Sequence, residues 1–159
     1  MENKLIYNFK DHGLYYKNIS YDNKVKKVLL MMGTIELYFN YITSELLSVT
    51  GYLPLIKAIR KHIDMPDLIE QQFCISMKEI TYSPGVGIDY FKYFEESKEY
   101  FMFDEYNPKL CYDEINKRIL IGTQDDGDNC IKTNKNIICG LDEKSNLKYL
   151  LISLDEVIE

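Results

Sequence analysis

The stretch TIELYFNYITSELLSVTG, Thr34 to Gly51, decides how the fold is read. Ile35, Tyr38, Phe39, Ile42, Leu46 and Val49 recur at helical spacing along it. Thr34 stands where an N-cap would accept the first free N–H groups, and Gly51 falls just past the end. The spacing therefore predicts a helix over 34–51. Leu53-Pro54 opens a second helical piece through Ile63, because proline is tolerated at the first helical position. Asp64-Met65-Pro66 breaks that piece and restarts a third, running to about Ile80.

On the N-terminal side, LIYNF (Leu5 to Phe9), KDHG and LYYKNI (Leu14 to Ile19) read as a hairpin, with Gly13 supplying the positive φ of its turn. The apolar run Val28 to Met32 is too short for periodicity to assign. On the C-terminal side, YSPGVG (Tyr82 to Gly87) is loop, and the pattern then becomes aromatic and alternating from Tyr90 to Phe103. Strands are expected at Leu110 to Tyr112 and Arg118 to Thr123 around a turn at Glu114 to Lys117, then at Asp128 to Lys132, Ile137 to Leu141 and Leu147 to Ile152. Ser153 and Glu156 form a capping box that starts a last helix, whose Leu154, Val157 and Ile158 can cover the sheet. No linker, repeat or low-complexity segment is evident. The expected architecture is one α+β domain over 1–159, with helices in the first half and a mainly antiparallel sheet in the second, closed by a C-terminal helix.

Composition narrows the function classes. The 159 residues carry a formal charge of −6, with 46% hydrophobic and 28% charged residues, the balance of a globular chain. That charge argues against nucleic acid, whose phosphates need clustered Lys and Arg; the densest basic stretch, KAIRK from Lys57 to Lys61, is short. No apolar run approaches membrane-spanning length, so no membrane association is expected. Cys74, Cys111, Cys130 and Cys139 form no C-x-x-C pair, which fits reduced thiols in the cytoplasm. Fourteen tyrosines and no tryptophan leave room for an amphipathic binding face.

The acidic loop LIGTQDDGDNCI, Leu120 to Ile131, invites a calcium reading. Setting Gly127 as the sixth position of an EF-hand puts Gly122 first and Thr133 twelfth, and neither can ligate as that loop requires. A phosphate loop would need Gly-Lys-Ser/Thr, which is absent. Asp126-Gly127 between alternating runs instead predicts a two-residue hairpin over Ile119 to Ile131, without metal. His12 and His62 sit in no nucleophile motif, and the pairs Glu95-Glu96 and Asp125-Asp126 would do acid–base work only if buried. No catalytic residue, cofactor or metal site is assigned, and no enzyme activity is expected.

From Ile119 to Glu159 the chain resembles the C-terminal pattern of the SUKH superfamily, immunity proteins of bacterial toxin systems. The resemblance rests on Ile121-Gly122, the acidic turn Asp125 to Asp128, Ile131, Leu141-Asp142 and the segment Ser153 to Ile158. Gly51-Tyr52-Leu53-Pro54 between two expected helices is similar to a step in the same family. The resemblance implies a cytosolic protein without chemistry of its own that binds and neutralises a cognate toxin, often a basic nuclease. The alternatives are a regulatory or scaffold module binding another protein, or an enzyme with an unrecognised acidic site. Candidate contacts are the acids and tyrosines near loops and sheet edges: Asp89, Tyr90, Glu95, Glu96, Asp104, Glu105, Tyr106, Asp125, Asp126 and Asp128.

Overall fold

In the computed structural model, residues 3–17, 24–70, 80–81, 85–104 and 107–159 are described. The run from Thr34 to Gly51 is two antiparallel strands rather than a helix, β4 (Ile35–Asn40) and β5 (Leu46–Tyr52). Ile35, Leu37 and Phe39 are fully buried, while Glu36, Tyr38 and Asn40 between them are half-buried, a period of two. Ile42, which completed the helical pattern, is 69% exposed in the turn. The Asn40 side chain accepts the N–H groups of Ile42 and Thr43 and closes that turn, so a local polar contact displaces helical bonding. Thr34 caps nothing; its hydroxyl donates to the Tyr52 carbonyl across the strand pair. Gly51, at φ 122°, lies so close to the Thr34 carbonyl that a Cβ would collide with it.

The second expected helix is a 3-10 turn at Leu55–Lys57 followed by the short strand β6 (Ile59–Arg60). The third falls on irregular chain to residue 70, and 71–79 lie outside the described residues. Helical turns occur instead where alternation suggested sheet, as α1 (Tyr90–Tyr93), a 3-10 turn at Glu95–Ser97 and α2 (Lys98–Phe101). The α+β expectation, helices first and sheet second, is thus overturned by a mostly β chain.

The remaining strands are β1 (Lys4–Asn8), β2 (Gly13–Lys17), β3 (Lys27–Met32), β7 (Gly87–Asp89), β8 (Leu110–Asp113), β9 (Arg118–Gly122), β10 (Asn129–Asn134), β11 (Ile137–Leu141), β12 (Leu147–Ser153) and β13 (Glu156–Ile158). They form a seven-stranded sheet in the order β13-β1-β2-β5-β4-β3-β7 and a six-stranded one in the order β10-β11-β12-β9-β8-β6. One core contains residues of both sheets, including Leu5, Tyr7, Leu30 and Phe39 with Ile119, Ile137, Leu150 and Ile152, which makes the fold a β-sandwich. The N-terminal hairpin holds, although His12 rather than Gly13 takes the positive φ, 56°.

The expected hairpin over Ile119 to Ile131 does not form. β9 and β10 are separated by β12 and β11, so Asp126-Gly127 turns at the end of the sheet on a crossover between non-adjacent strands. The strands β9 to β12 make a Greek key. The expected C-terminal helix is also absent, because β13 adds parallel to β1, with Ile6 opposite Glu156 and Asn8 opposite Ile158. Ser153 ends β12, and Asp155 turns the chain from one sheet to the other: its carboxylate accepts from Leu5 N–H at 2.8 Å and Asn136 Nδ2 at 3.1 Å.

The two halves repeat one topology. β1 to β5 and β8 to β12 each form a hairpin plus a three-strand meander in the same order, β1-β2-β5-β4-β3 against β8-β9-β12-β11-β10. Irregular details match as well. His12 (φ 56°) and Lys117 (φ 54°) precede the second strand of each half, and their carbonyls accept from Leu53 and Leu154 respectively. Ser44 (φ 63°) and Ser145 (φ 65°) occupy equivalent turns. Thr34 and Asn136 each bind the end of the fifth strand through backbone carbonyl and side chain, at Tyr52 and Ser153. A register shift sits at Tyr38/Phe39 and at Gly140/Leu141. Each half then lends the strand that follows its meander to the other: β6 pairs parallel with β8, and β13 with β1.

The six-stranded sheet is apolar on both faces. Leu120, Cys130, Ile138, Tyr149 and Leu151 form a second cluster on its outside with Ile63. The segment from Lys61 to Ile69 covers that face as a strap, bonded at Tyr112 and Asp113 near one edge and at the Cys130 carbonyl on the other. Among the described residues no helix is long and apolar enough to cross a membrane.

Asp155→Ala strips the partner from the Leu5 N–H and one from Asn136. It should lower stability by about 1–3 kcal/mol in urea unfolding, the cost of orphaning buried donors.

Candidate functional site

Among the described residues Lys148 carries the most deeply buried ammonium group, its side chain 7% exposed. Its Nζ bonds Asp125 Oδ2 at 2.8 Å and Asp128 Oδ1 at 2.7 Å, and lies 5.2 Å from the Tyr100 ring centroid. The acidic loop is therefore closed on a cation supplied by the chain itself. Burial pulls the Lys148 ammonium toward neutrality, but hydrogen bonds and charge from the two aspartates outweigh it and raise its pKa. Asp128 Oδ2 also accepts from Asp125 N–H, which shapes the turn.

This buried ion tethers the crossover loop beneath α2, and three further bonds seat the α2 region on the sheet. Thr123 Oγ1 donates to the Tyr100 carbonyl, while Lys109 Nζ donates to the Glu99 carbonyl and to Thr123 Oγ1. Tyr100 in turn donates to Asp142 Oδ2 at 3.1 Å. Asn146 bridges Asp142 and Glu96, its Nδ2 reaching Glu96 Oε2 at 2.8 Å. The result is a groove of about 810 Å³ between the helical turns and the β11–β12 turn. Among the described residues six carboxylates line it, Glu95, Glu96, Glu99, Asp104, Asp142 and Glu143, against the two ammonium groups of Lys98 and Lys144. Burial pushes the Asp142 carboxyl up, but Asn146, Tyr100 and the Lys144 N–H outweigh it and hold its pKa below the usual carboxylate value.

The candidate contacts divide accordingly. Glu95, Glu96 and Asp104 come together in the acidic groove. Asp125 and Asp128 are engaged with Lys148, and Asp126 is exposed at the turn. Asp89 caps α1 by accepting from Phe91 N–H, and Tyr90 is buried in the core, its hydroxyl pushed far up by burial. Glu105 and Tyr106 lie outside the described residues. Asp142, Glu143 and Glu99 were not among the candidates. The polar turn DEKSN is the only signal for Asp142 and Glu143, and nothing local says that it meets the helix carrying Glu99, some forty residues away.

A second polar cluster fixes the strap. Asp113 Oδ2 accepts from Ile63 N–H at 3.0 Å and from Asn116 Nδ2 at 2.9 Å, and lies 3.3 Å from His62 Nδ1, while His62 Nε2 is 2.8 Å from Asp64. Both ring nitrogens face carboxylates, so this histidine holds the strap rather than activating a nucleophile. Burial raises the Asp113 pKa, but the bonds from Ile63 and Asn116 and the nearby His62 lower it to about 2.

The chain matches no protein-family model and no curated protein.

Lys148→Met leaves Asp128 buried without its cation and should cost about 3–5 kcal/mol, whereas adding Asp125→Asn and Asp128→Asn should restore most of that loss. Because Asp113 is depressed in the folded state, its contribution is complete above the ordinary carboxylate pKa of about 4 and is lost as pH falls toward about 2. The difference in unfolding free energy between the wild type and Asp113→Asn should therefore be flat above pH ~5 and shrink below pH ~4.

Proposed function

We propose that the chain is a non-catalytic protein that captures a basic protein partner in the cytoplasm through the groove between α2 and the β11–β12 turn. The observation that carries this is the concentration of six carboxylates on a scaffold already braced by Lys148, Thr123 and Lys109. Acids held by hydrogen bonds to Asn146 and Tyr100 keep their charge and position without ordering on binding, which lowers the cost of association. Their field raises the encounter rate with a cationic surface. Tyr100 and Met102 in the same groove offer an apolar contact for the centre of an interface.

A bacterial toxin neutralised by its immunity protein is the particular case suggested by the C-terminal resemblance. A basic nuclease would match the charge of the groove, since grip on phosphate requires a cationic face. The reading as occlusion rather than chemistry is supported by the commitment of Asp142 to Tyr100 and Asn146 and of Glu96 to Asn146.

The test is association kinetics with the captured partner, comparing the wild type with Glu95→Lys/Glu96→Lys/Glu99→Lys. At ~50 mM salt the variant should associate about tenfold more slowly or worse, and the gap should narrow at ~500 mM as screening lengths shrink. Equal association rates at low salt, in a variant with unchanged circular dichroism, would eliminate recognition through this groove.

A further inference from the structure

A second cavity, of about 620 Å³, lies beside β6 and β8 of the six-stranded sheet. Its apolar lining includes the exposed Ile59 and Phe103 and the half-buried Cys111, with Leu110 and Leu120 already buried beneath. Among the described residues the strap, which begins at Lys61, leaves this side open. Ile59 and Phe103 stand at the cavity 66% and 80% exposed, an arrangement that costs free energy in water unless something apolar covers them.

The charge here runs against the rest of the molecule. In a chain of net charge −6, the charged groups lining this cavity, among the described residues, are Lys57, Lys61 and Lys109 with Asp104. Lys109 is committed to the Glu99 carbonyl and Thr123, which leaves Lys57 and Lys61 to set the field at the edge strand. The repeat within the fold shows that the framework does not require a cation in β6. β13 occupies the position in the first half that β6 occupies in the second, and by register Arg60, opposite Tyr112, corresponds to the uncharged Val157, opposite Tyr7, while Ile59 corresponds to Glu156. The 3-10 turn that carries Lys57 has no counterpart before β13. Arg60 has a structural use, stacking on Tyr112 of the core with 4.8 Å to the ring centroid.

We propose that this cavity binds a small amphipathic anion, with its apolar body on Ile59, Phe103 and Cys111 and its carboxylate or other acidic head between Lys57 and Lys61. The volume lies within the range of small-molecule sites, and an apolar lining with a few cationic groups at the rim is the chemistry that orients such a ligand. The long methylene stems of the two lysines add apolar wall while their heads stay at the mouth. The site is separate from the acidic groove, although Asp104 borders both.

The experiment uses decanoate and its neutral analogue decanol on the full chain carrying Cys74→Ser. In that background Cys111 is the half-exposed thiol, Cys130 and Cys139 being buried. Decanoate should bind saturably by calorimetry and should slow alkylation of Cys111 by N-ethylmaleimide several-fold at saturation. Lys57→Gln/Lys61→Gln should weaken decanoate binding about tenfold or more while leaving decanol binding within twofold. Absence of saturable decanoate binding overturns the proposal. So does binding that leaves Cys111 unprotected, since the ligand then sits elsewhere, or binding that the lysine pair does not affect.

Discussion

Neither half of this chain can finish its own sheet. The strand after each five-strand unit crosses to the other half, β6 to β8 and β13 to β1. Both loans are parallel pairings, which hairpins cannot make and which need a connection long enough to change layers. Everything else follows from that exchange. The two sheets are tied together because each crossing strand leaves its own half for the other's sheet, the strap is simply the chain continuing beyond the loaned β6, and the Asp155 turn exists because β12 and β13 lie in different layers. Exchange of equivalent elements is how protomers of swapped dimers interlock; here the same geometry is written into one covalent chain.

The polar interior has a matching logic. Sandwich strands bury apolar rows at little risk, but loops that cross sheet ends carry backbone groups that must be satisfied. Four acids do that work at three crossings: Asp155 between the sheets, Asp113 under the strap, and Asp128 with Asp125 at the β9–β10 crossover. Only the last is closed on a buried cation, because its loop buries the Asp128 carboxylate. The ammonium of Lys148 also reaches Tyr100, so the ion that closes the crossover supports the floor of the acidic groove.

Much of the second half was legible. The strands of β8, β9, β11 and β12 stand close to where alternation and turn residues placed them, because each pairs with an antiparallel neighbour near in sequence or is buried on both faces. What failed was pairing at a distance. Asp126-Gly127 is a turn, as its chemistry dictates, but no local feature tells that β12 will return to occupy the place beside β9. Ser153 and Glu156 satisfy a helix-start pattern, yet β1 offers open backbone that wins. Thr34 to Gly51 satisfies two periods at once: Ile35, Leu37 and Phe39 alternate, while Tyr38 and Ile42 complete a helical stripe, and the Asn40 turn decides between them. The internal repeat was invisible for a related reason. It is carried by backbone bonds and by non-glycine residues at positive φ, His12 and Lys117, or Ser44 and Ser145, which share geometry but little side-chain identity. Of the acidic groove, Glu95, Glu96 and Asp104 were anticipated, and the partners contributed by the β11–β12 turn were not.

The pairing of β1 with β13 has a mechanical meaning. The strands run parallel, so tension applied between the N-terminal side of Lys4 and the C-terminal side of Ile158 pulls them in opposite directions along their common axis. The bonds joining them are then loaded in shear and must fail together, whereas an antiparallel terminal hairpin would unzip one bond at a time. With Asp155 riveting the start of β13 to Leu5, the molecule is built to resist stretching from its ends more strongly than a sandwich of ordinary hairpins would.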